Sequence, residues 1–290
     1  MSPTEARVVA NDVDFAFLEE GSGPLALCLH GFPDSAWTYR HLLPALAEAG
    51  FHAVAPWMRG YAPTAVPADG RYQTAALGLD ACALHEALGG DADAVIVGHD
   101  WGAMATYTAA NHEPDRWRRV VTMAVPPSGA VGAGFMQYRQ LKKSWYMFFF
   151  QHGLSDVVVG MNDLEFIDGL WADWSPGYDA SEDLPHVKDA LRDPANLAAA
   201  IGYYRATLGG VGVDPALDAV QAAGALPTAQ PTLYLHGRTD GCMGAELAEG
   251  ATPFLTSEGS RLELVEGAGH FLHVERPDVV NELIVDFVTS

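Results

Sequence analysis

Asp100 lies at the centre of the pentapeptide GHDWG at residues 98–102, between a short apolar run and a segment with helical spacing. Small residues two positions before and after the central one are typical of a sharp turn from a strand into a helix, which lifts the central side chain above the sheet. The positive end of that helix favours an ionised carboxylate. The pattern predicts that Asp100 is a nucleophile, although aspartate is also a preferred residue for capping a helix.

Asp240 and His270 could activate water beside that carboxylate. Asp240 ends the segment HGRTD at 236–240, and His270 follows the glycine-rich segment GAG at 267–269. Each comes directly after a predicted strand, so the chain order is nucleophile, acid, histidine, as in α/β-hydrolases. His273 is a weaker candidate for the base, because it falls toward the following helix and lacks the glycine-rich approach.

The segment HGFP at residues 30–33 could supply an oxyanion hole. A glycine and a proline after an apolar run bend the backbone sharply, so the backbone N–H of Phe32 could point at a developing negative charge together with that of Trp101. The same residues also fit an ordinary tight turn.

Short apolar runs alternate with helical patterns, and these elements must position the candidate residues. Continuous apolar strands that alternate with helices indicate a parallel sheet covered on both faces. Residues 6–18 predict two edge strands. Further strands are predicted at 25–29, 52–55, 94–97, 120–125, 232–235 and 262–265, and helices at 38–49, 75–89, 101–112 and 277–288.

The composition changes in residues 126–215, which are rich in tryptophan, tyrosine and phenylalanine. We interpret this stretch as a mostly helical insertion, in which only Val157 to Val159 has a strand-like pattern. The predicted organisation is a core formed by 1–125 and 216–290 and an inserted helical lid, or cap domain, at 126–215.

The segments HGFPDS at 30–35, GHDWG at 98–102, HGRTD at 236–240 and GHFLHVERP at 269–277 resemble the epoxide hydrolases of the α/β-hydrolase superfamily. The resemblance implies the α/β-hydrolase fold, with a helical lid after the sixth strand. It also implies two lid tyrosines that donate hydrogen bonds to the epoxide oxygen. The matching residues are Tyr146 and Tyr204, with Tyr138 and Tyr203 as the alternatives.

The residues and the resemblance together predict an epoxide hydrolase that converts an apolar epoxide and water to a vicinal diol through an ester on Asp100. We also expect substrate contacts from His30, Trp37 and Trp101. A haloalkane or haloacetate dehalogenase could use the same Asp, His and Asp set, but Phe32 offers no side-chain N–H for a halide. A non-catalytic binding protein of this fold is a further alternative.

Composition narrows the possible partners. The 290 residues carry 37 acidic and 16 basic side chains, and this net charge of −21 argues against nucleic acid and anionic membranes. No apolar run approaches the length of a membrane span. The scattered cysteines Cys28, Cys82 and Cys242 predict buried free thiols in a reducing cytoplasm. We expect no cofactor and no metal, and a homodimer is compatible with the sequence.

Overall fold

A computed structural model describes residues 3–290, so the first two residues of the predicted core segment 1–125 lie outside the described range. Eight strands form one sheet in the order β1-β2-β4-β3-β5-β6-β7-β8. Strands β3 to β8 are parallel, whereas β2 runs antiparallel to both β1 and β4. The strands are β1 (Thr4–Ala10), β2 (Val13–Gly21), β3 (Leu25–Leu29), β4 (His52–Pro56), β5 (Val95–His99), β6 (Arg119–Met123), β7 (Thr232–Gly237) and β8 (Arg261–Val265).

The central strands are apolar on both faces because helices cover both sides of the sheet. In β3 every residue is buried, and successive side chains enter two different clusters. Leu27 packs in the cluster that includes Leu77 and Ala105, whereas Cys28 packs in the cluster that includes Leu46 and Ile284. This alternation explains why the strand sequences show continuous apolar runs instead of a polar and apolar repeat.

The core α-helices are α1 (Leu42–Glu48), α2 (Thr74–Ala87), α3 (Trp101–His112), α11 (Asp218–Ala223), α12 (Ala245–Glu249), α13 (Leu272–Glu275) and α14 (Pro277–Thr289). The helices predicted at 75–89, 101–112 and 277–288 match α2, α3 and α14 within two residues, whereas α11, α12 and α13 were not predicted. The single helix predicted at 38–49 is instead a 3-10 helix, Ala36–His41, followed by α1. Pro44 has no N–H to donate to the preceding turn, which restricts the regular α-helix to the residues around and after it.

Seven α-helices lie between β6 and α11, and we call them the cap helices. They are α4 (Ser128–Gly134), α5 (Tyr138–Lys143), α6 (Trp145–Phe149), α7 (Leu154–Gly160), α8 (Glu165–Trp174), α9 (Leu184–Leu191) and α10 (Pro194–Tyr204). The strand-like reading of Val157 to Val159 is wrong, because these residues form part of α7. A helical turn also places branched residues side by side, and three residues are too few to distinguish the two patterns. The limits 126–215 of a separate domain stay a prediction.

Two tryptophans of α8 join the cap helices to the core. The indole Nε1 of Trp171 donates to the carbonyl of Pro33 at 2.8 Å, and its ring stacks on Phe271 with 3.5 Å between centroids. The carbonyl of Trp174 accepts the backbone N–H groups of Gly241 and His270, both at 3.0 Å. The cap therefore contacts the loops after β3, β7 and β8 directly. Within residues 3–290, none of the helices is long and apolar enough to cross a membrane.

Candidate active site

Asp100 occupies a sharp turn between the end of β5 and the start of α3. Its backbone torsions are φ 52° and ψ −116°, which a residue with a side chain rarely adopts. The turn brings chain segments so close that a Cβ on Gly98 would lie 2.2 Å from the carbonyl oxygen of Gly102. A Cβ on Gly102 would lie 1.9 Å from the carbonyl oxygen of Leu29. The glycines of the GHDWG segment are therefore required by sterics.

The two carboxylate oxygens of Asp100 have different surroundings. Oδ1 accepts the backbone N–H of Phe32 at 2.8 Å, whereas Oδ2 lies 3.6 Å from Nε2 of His270. Burial alone would raise the pKa of Asp100, but the adjacent His270 and the N–H of Phe32 outweigh burial and leave the pKa below its ordinary value. Asp100 is therefore ionised at neutral pH, as a carboxylate nucleophile must be.

His270 is held between two carboxylates. Its Nδ1 lies 2.9 Å from Oδ2 of Asp240, and the other oxygen of Asp240 accepts the N–H groups of Cys242 at 2.6 Å and Met243 at 2.8 Å. Burial would lower the pKa of His270, but the charges of Asp240 and Asp100 raise it to about 10. At neutral pH the resting site therefore contains an imidazolium between two carboxylates.

The backbone around His270 is fixed by neighbours on both sides. Its N–H donates to the carbonyl of Trp174, and its own carbonyl lies 2.9 Å from Nε2 of His99. Because the carbonyl accepts, Nε2 of His99 carries a proton. In the ring, Nε2 of His270 lies 3.6 Å from Oδ2 of Asp100 but has no hydrogen-bond partner among residues 3–290, although the residue is fully buried. A buried ring nitrogen in that position is available to a water or a substrate.

Tyr146 and Tyr204 lie next to each other above Asp100. Their ring centroids are 5.6 Å apart, and the ring of Tyr204 lies 5.0 Å from Trp101 and 5.2 Å from Phe32. Burial, together with the charge of Asp100, raises the pKa of both phenols well above the ordinary value, so both remain donors. In the part of the chain that the structure describes, the hydroxyl of Tyr204 has no hydrogen-bond partner. That of Tyr146 lies 3.3 Å from Sγ of Cys242.

A cavity of about 210 Å³ lies beside the nucleophile. Asp100, Trp101, Tyr146 and Cys242 line it, whereas Tyr204 and His270 are not among its lining residues. The rest of the lining is mainly apolar and comes from Met104, Val125, Val131, Phe135, Met147, Thr207, Leu208 and Met243. A larger cavity of about 620 Å³ lies between α4, α5 and α12, and no predicted site residue is among its described lining. The chemistry therefore belongs to the smaller, apolar cavity.

Not every predicted site residue lies at this cavity. Trp37 is placed elsewhere by the 3-10 helix Ala36–His41, and its ring stacks on His186 with 4.1 Å between centroids. His30 is fully buried and is not among the residues that line this cavity. Its Nε2 accepts the N–H of Met58 at 3.0 Å, which leaves Nδ1 to donate to the carbonyl of Gly31 at 2.9 Å.

The structure also separates the alternative tyrosines. The hydroxyl of Tyr203 donates to the carbonyl of Arg59 at 2.8 Å. Its hydrogen bond is therefore made away from Asp100. Tyr138 is 78% exposed on α5. Phe32 supplies one backbone N–H at Asp100, as its position in HGFP predicts. Trp101 is the first residue of α3, where backbone N–H groups have no acceptor within the helix.

Three features of the site were not found from the sequence. Cys242 is a free buried thiol, as expected, but it also lies at the cavity beside Asp100 and His270. Lys143 of α5 donates to the carbonyl of Asp240, which ties a cap helix to the acid. The third is a cluster of Asp34, His99 and His273 behind the site. The spacing of Cys242 two residues after Asp240 was the only available signal for the first feature.

The cluster behind the site contains Asp34, His99 and His273. Nδ1 of His99 lies 3.3 Å from Oδ2 of Asp34, and the rings of His99 and His273 have centroids 4.6 Å apart. These three residues hold potential metal-ligand atoms within 4.8 Å of one another, as do Asp100, Cys242 and His270. Two members of the second group, Asp100 and Cys242, line the 210 Å³ cavity.

Comparison with known proteins agrees with this architecture. A family model described as the alpha/beta hydrolase fold matches residues 24–158. Epoxide hydrolase A of Mycobacterium tuberculosis is 28% identical over 100% of this chain and 98% of its own length. An epoxide hydrolase of Caballeronia sordidicola is 41% identical over 42% of this chain and 37% of its own length.

A solved structure gives the same result. The crystal structure of epoxide hydrolase A from Mycobacterium thermoresistibile aligns with a TM-score of 0.81 and 27% identity, over 99% of this chain and 98% of that one. The fold class predicted from the sequence is confirmed. The chain is an α/β-hydrolase-fold protein, and it resembles the epoxide hydrolases of that superfamily over its whole length.

Proposed function

We propose that the protein hydrolyses apolar epoxides to vicinal diols through a covalent ester on Asp100. The observation that carries the proposal is the ionised Asp100 carboxylate near two protonated phenols, Tyr146 and Tyr204, with Asp100 and Tyr146 lining one apolar cavity. An epoxide needs a nucleophile on one side of the ring carbon and proton donors at the ring oxygen, and these side chains offer both. The names of the similar proteins support the same activity.

In the first step, a carboxylate oxygen of Asp100 attacks a ring carbon and the carbon–oxygen bond of the epoxide breaks. The electron pair of that bond moves to the ring oxygen, which takes a proton from Tyr146 or Tyr204. The resulting phenolate recovers a proton from the imidazolium of His270, directly or through water. The products of this step are a neutral hydroxyalkyl ester on Asp100 and a neutral imidazole.

In the second step, His270 takes a proton from water and the hydroxide attacks the carbonyl carbon of the ester. The negative charge that develops on Asp100 is stabilised by the N–H of Phe32, which already donates to Oδ1 at 2.8 Å, and by that of Trp101. Collapse of the tetrahedral species breaks the ester bond, and the alkoxide leaving group takes the proton that His270 obtained from water, so that the diol is released. The carboxylic acid left on Asp100 carries the second proton of that water and passes it to His270, which restores both the carboxylate and the imidazolium.

The cycle takes up no net proton, because the proton that His270 gives to the phenolate in the first step is returned from water in the second. His270 is therefore neutral when the ester is hydrolysed, as a base for water must be. The loss of the negative charge of Asp100 on alkylation promotes the release of the proton from His270.

A dehalogenase is less well supported by the lining of the cavity. A halide would need two side-chain N–H donors beside Asp100. The side chain of Phe32 has none, so only the indole of Trp101 could donate. The described lining also contains no arginine that could bind the carboxylate of a haloacetate. A purely binding role would not require the arrangement in which Asp240 orients His270 toward Asp100.

The test is a single turnover with enzyme in excess over an aryl epoxide in H₂¹⁸O. The first diol should carry no label, because its new oxygen comes from Asp100, and the label should appear in the aspartate. An Asp100→Asn variant should produce no diol. Labelled diol in the first turnover would refute the ester. A parallel panel of matched epoxides, haloalkanes and activated esters tests the substrate class, and faster turnover of haloalkanes would favour the dehalogenase.

The remaining expectations for the cell are part of the same proposal. We retain a cytoplasmic location and a homodimer as predictions. Sedimentation analysis of the purified protein tests the second. The expected substrate is apolar, since the cavity lining around Asp100 is dominated by aliphatic, methionine and aromatic side chains.

A further inference from the structure

We propose that Asp100, His270 and Cys242 form a binding site for Zn²⁺, and that the bound ion inhibits the enzyme by occupying its nucleophile and base. The binding itself is independent of the activity proposed above, whereas the inhibition rests on that proposed function. The three side chains offer an oxygen, a nitrogen and a sulfur ligand, a combination that zinc accepts in proteins.

The ligand atoms are spaced for one ion. Each of the three residues holds a ligand atom within 4.8 Å of the others, and Oδ2 of Asp100 lies 3.6 Å from Nε2 of His270. Zinc bonds of roughly 2.0–2.3 Å at tetrahedral angles place ligand atoms about 3.3–3.7 Å apart. The oxygen and nitrogen therefore need little movement, and the sulfur at most a shift on the order of 1 Å.

Hydrogen bonds to the other atoms of the same side chains orient the ligands. Nδ1 of His270 faces Asp240 at 2.9 Å, so that the lone pair of Nε2 can point at a metal. A carboxylate behind a ligating imidazole is the usual support for a zinc histidine. Oδ1 of Asp100 is taken by the N–H of Phe32, which leaves Oδ2 for the ion. Across residues 3–290, the fully buried Nε2 has no hydrogen-bond partner.

Charge and access also suit zinc. A carboxylate, a thiolate and a neutral imidazole carry two negative charges, so these three ligands balance the charge of Zn²⁺. Asp240 adds a further negative charge behind the imidazole, which favours a cation at Nε2. On binding, the sulfur–hydrogen bond of Cys242 breaks, the thiol proton and any proton on Nε2 pass to water, and the zinc–ligand bonds form. Asp100 and Cys242 line the 210 Å³ cavity, which gives the ion an entry and leaves its fourth position for water. The thiol and imidazole favour zinc over magnesium or calcium.

The experiment uses Zn²⁺ and, as a spectroscopic probe, Co²⁺, with the purified full chain. We expect one Zn²⁺ per chain by calorimetry, and a sulfur-to-cobalt charge-transfer band in the near ultraviolet when Co²⁺ is added. Cys242→Ser should abolish the band and weaken zinc binding by at least about 100-fold, the upper loss known for outer-shell partners of a metal site. Cys82→Ser, which changes a buried thiol on α2, should retain both.

Several results would overturn the proposal: no cobalt band in the unchanged protein, unchanged zinc affinity in Cys242→Ser, or equal loss in Cys82→Ser. Unchanged affinity would point to the Asp34, His99 and His273 cluster instead. Cys242→Ala provides a second variant, and circular dichroism checks that each variant is folded. Zinc inhibition of epoxide turnover should be reversed by a chelator. Zinc binding without any epoxide turnover would refute the proposed function alone, whereas turnover without zinc binding would refute this inference alone.

Discussion

Replacement of Asp100 by asparagine should lower the pKa of His270 from about 10 to about 7. The substitution removes one negative charge and keeps the shape of the side chain, so the variant imitates the neutral ester of the proposed intermediate. Oδ2 of Asp100 lies 3.6 Å from Nε2 of His270. At an effective dielectric constant of about 20, a charge pair at that distance interacts by about 5 kcal/mol. At roughly 1.4 kcal/mol per pH unit, this is a change of a little over three in pKa.

The measurement is a proton NMR titration of the histidine rings between pH 5 and pH 11, with His270 assigned by its loss in His270→Gln. Asp34→Asn is the matched control, because it also changes a buried aspartate, but one whose carboxylate faces His99 at 3.3 Å. The control should leave His270 titrating near 10. A His270 pKa near 6.5 in the unchanged protein, or one above about 9 in Asp100→Asn, would refute the electrostatic reasoning.

Three further predictions test neighbouring parts of the site. Gly31→Ala places a Cβ 2.3 Å from Oδ1 of Asp100 and should slow ester formation about 100-fold in stopped-flow assays. Gly132→Ala is the control, because no described heavy atom lies within 4 Å of its Cβ, and it should not slow ester formation. Tyr204→Phe should slow ring opening about 100-fold or more with little loss of stability. Tyr203→Phe should cost about 1–2 kcal/mol of unfolding free energy and little activity, and the reverse pattern would exchange their roles. Because His270 has a raised pKa, its stabilisation is complete below pH 6.5 and is lost as the pH rises through about 10. The unfolding free energy in urea should therefore fall by up to about 1.4 kcal/mol per unit between pH 7 and 8.5, and an equal slope in Asp100→Asn would contradict this.

The sequence predicts residues well where local geometry restricts the choice of side chain. The glycines around Asp100 are needed because any Cβ there would meet a backbone carbonyl, so a five-residue pattern identifies the turn. Asp240 and His270 follow strands that end at the same edge of the sheet, so topology alone brings them together. The same reasoning locates the N–H of Phe32, because it depends on the backbone after β3.

Roles that depend on the direction of a side chain could not be derived in this way. Trp37 follows the HGFPDS segment closely, yet a 3-10 helix turns its ring toward His186. Neighbouring Tyr203 and Tyr204 lie about 100° apart around a helix, so only the register of α10 decides which one faces Asp100. Cys242 carries no motif, and its place at the cavity depends on how Asp240 holds the following loop.

One arrangement of charges can serve both halves of the proposed reaction. In the resting site, Asp100 and Asp240 keep His270 protonated, and the imidazolium in turn keeps Asp100 ionised for attack. Formation of the ester removes one of the two negative charges, and the pKa of His270 then falls toward neutrality. The same ring thereby changes from a charged partner of the nucleophile to a base for water without any movement. Asp240 can support this change because two backbone N–H groups hold its second oxygen and fix the orientation of the ring.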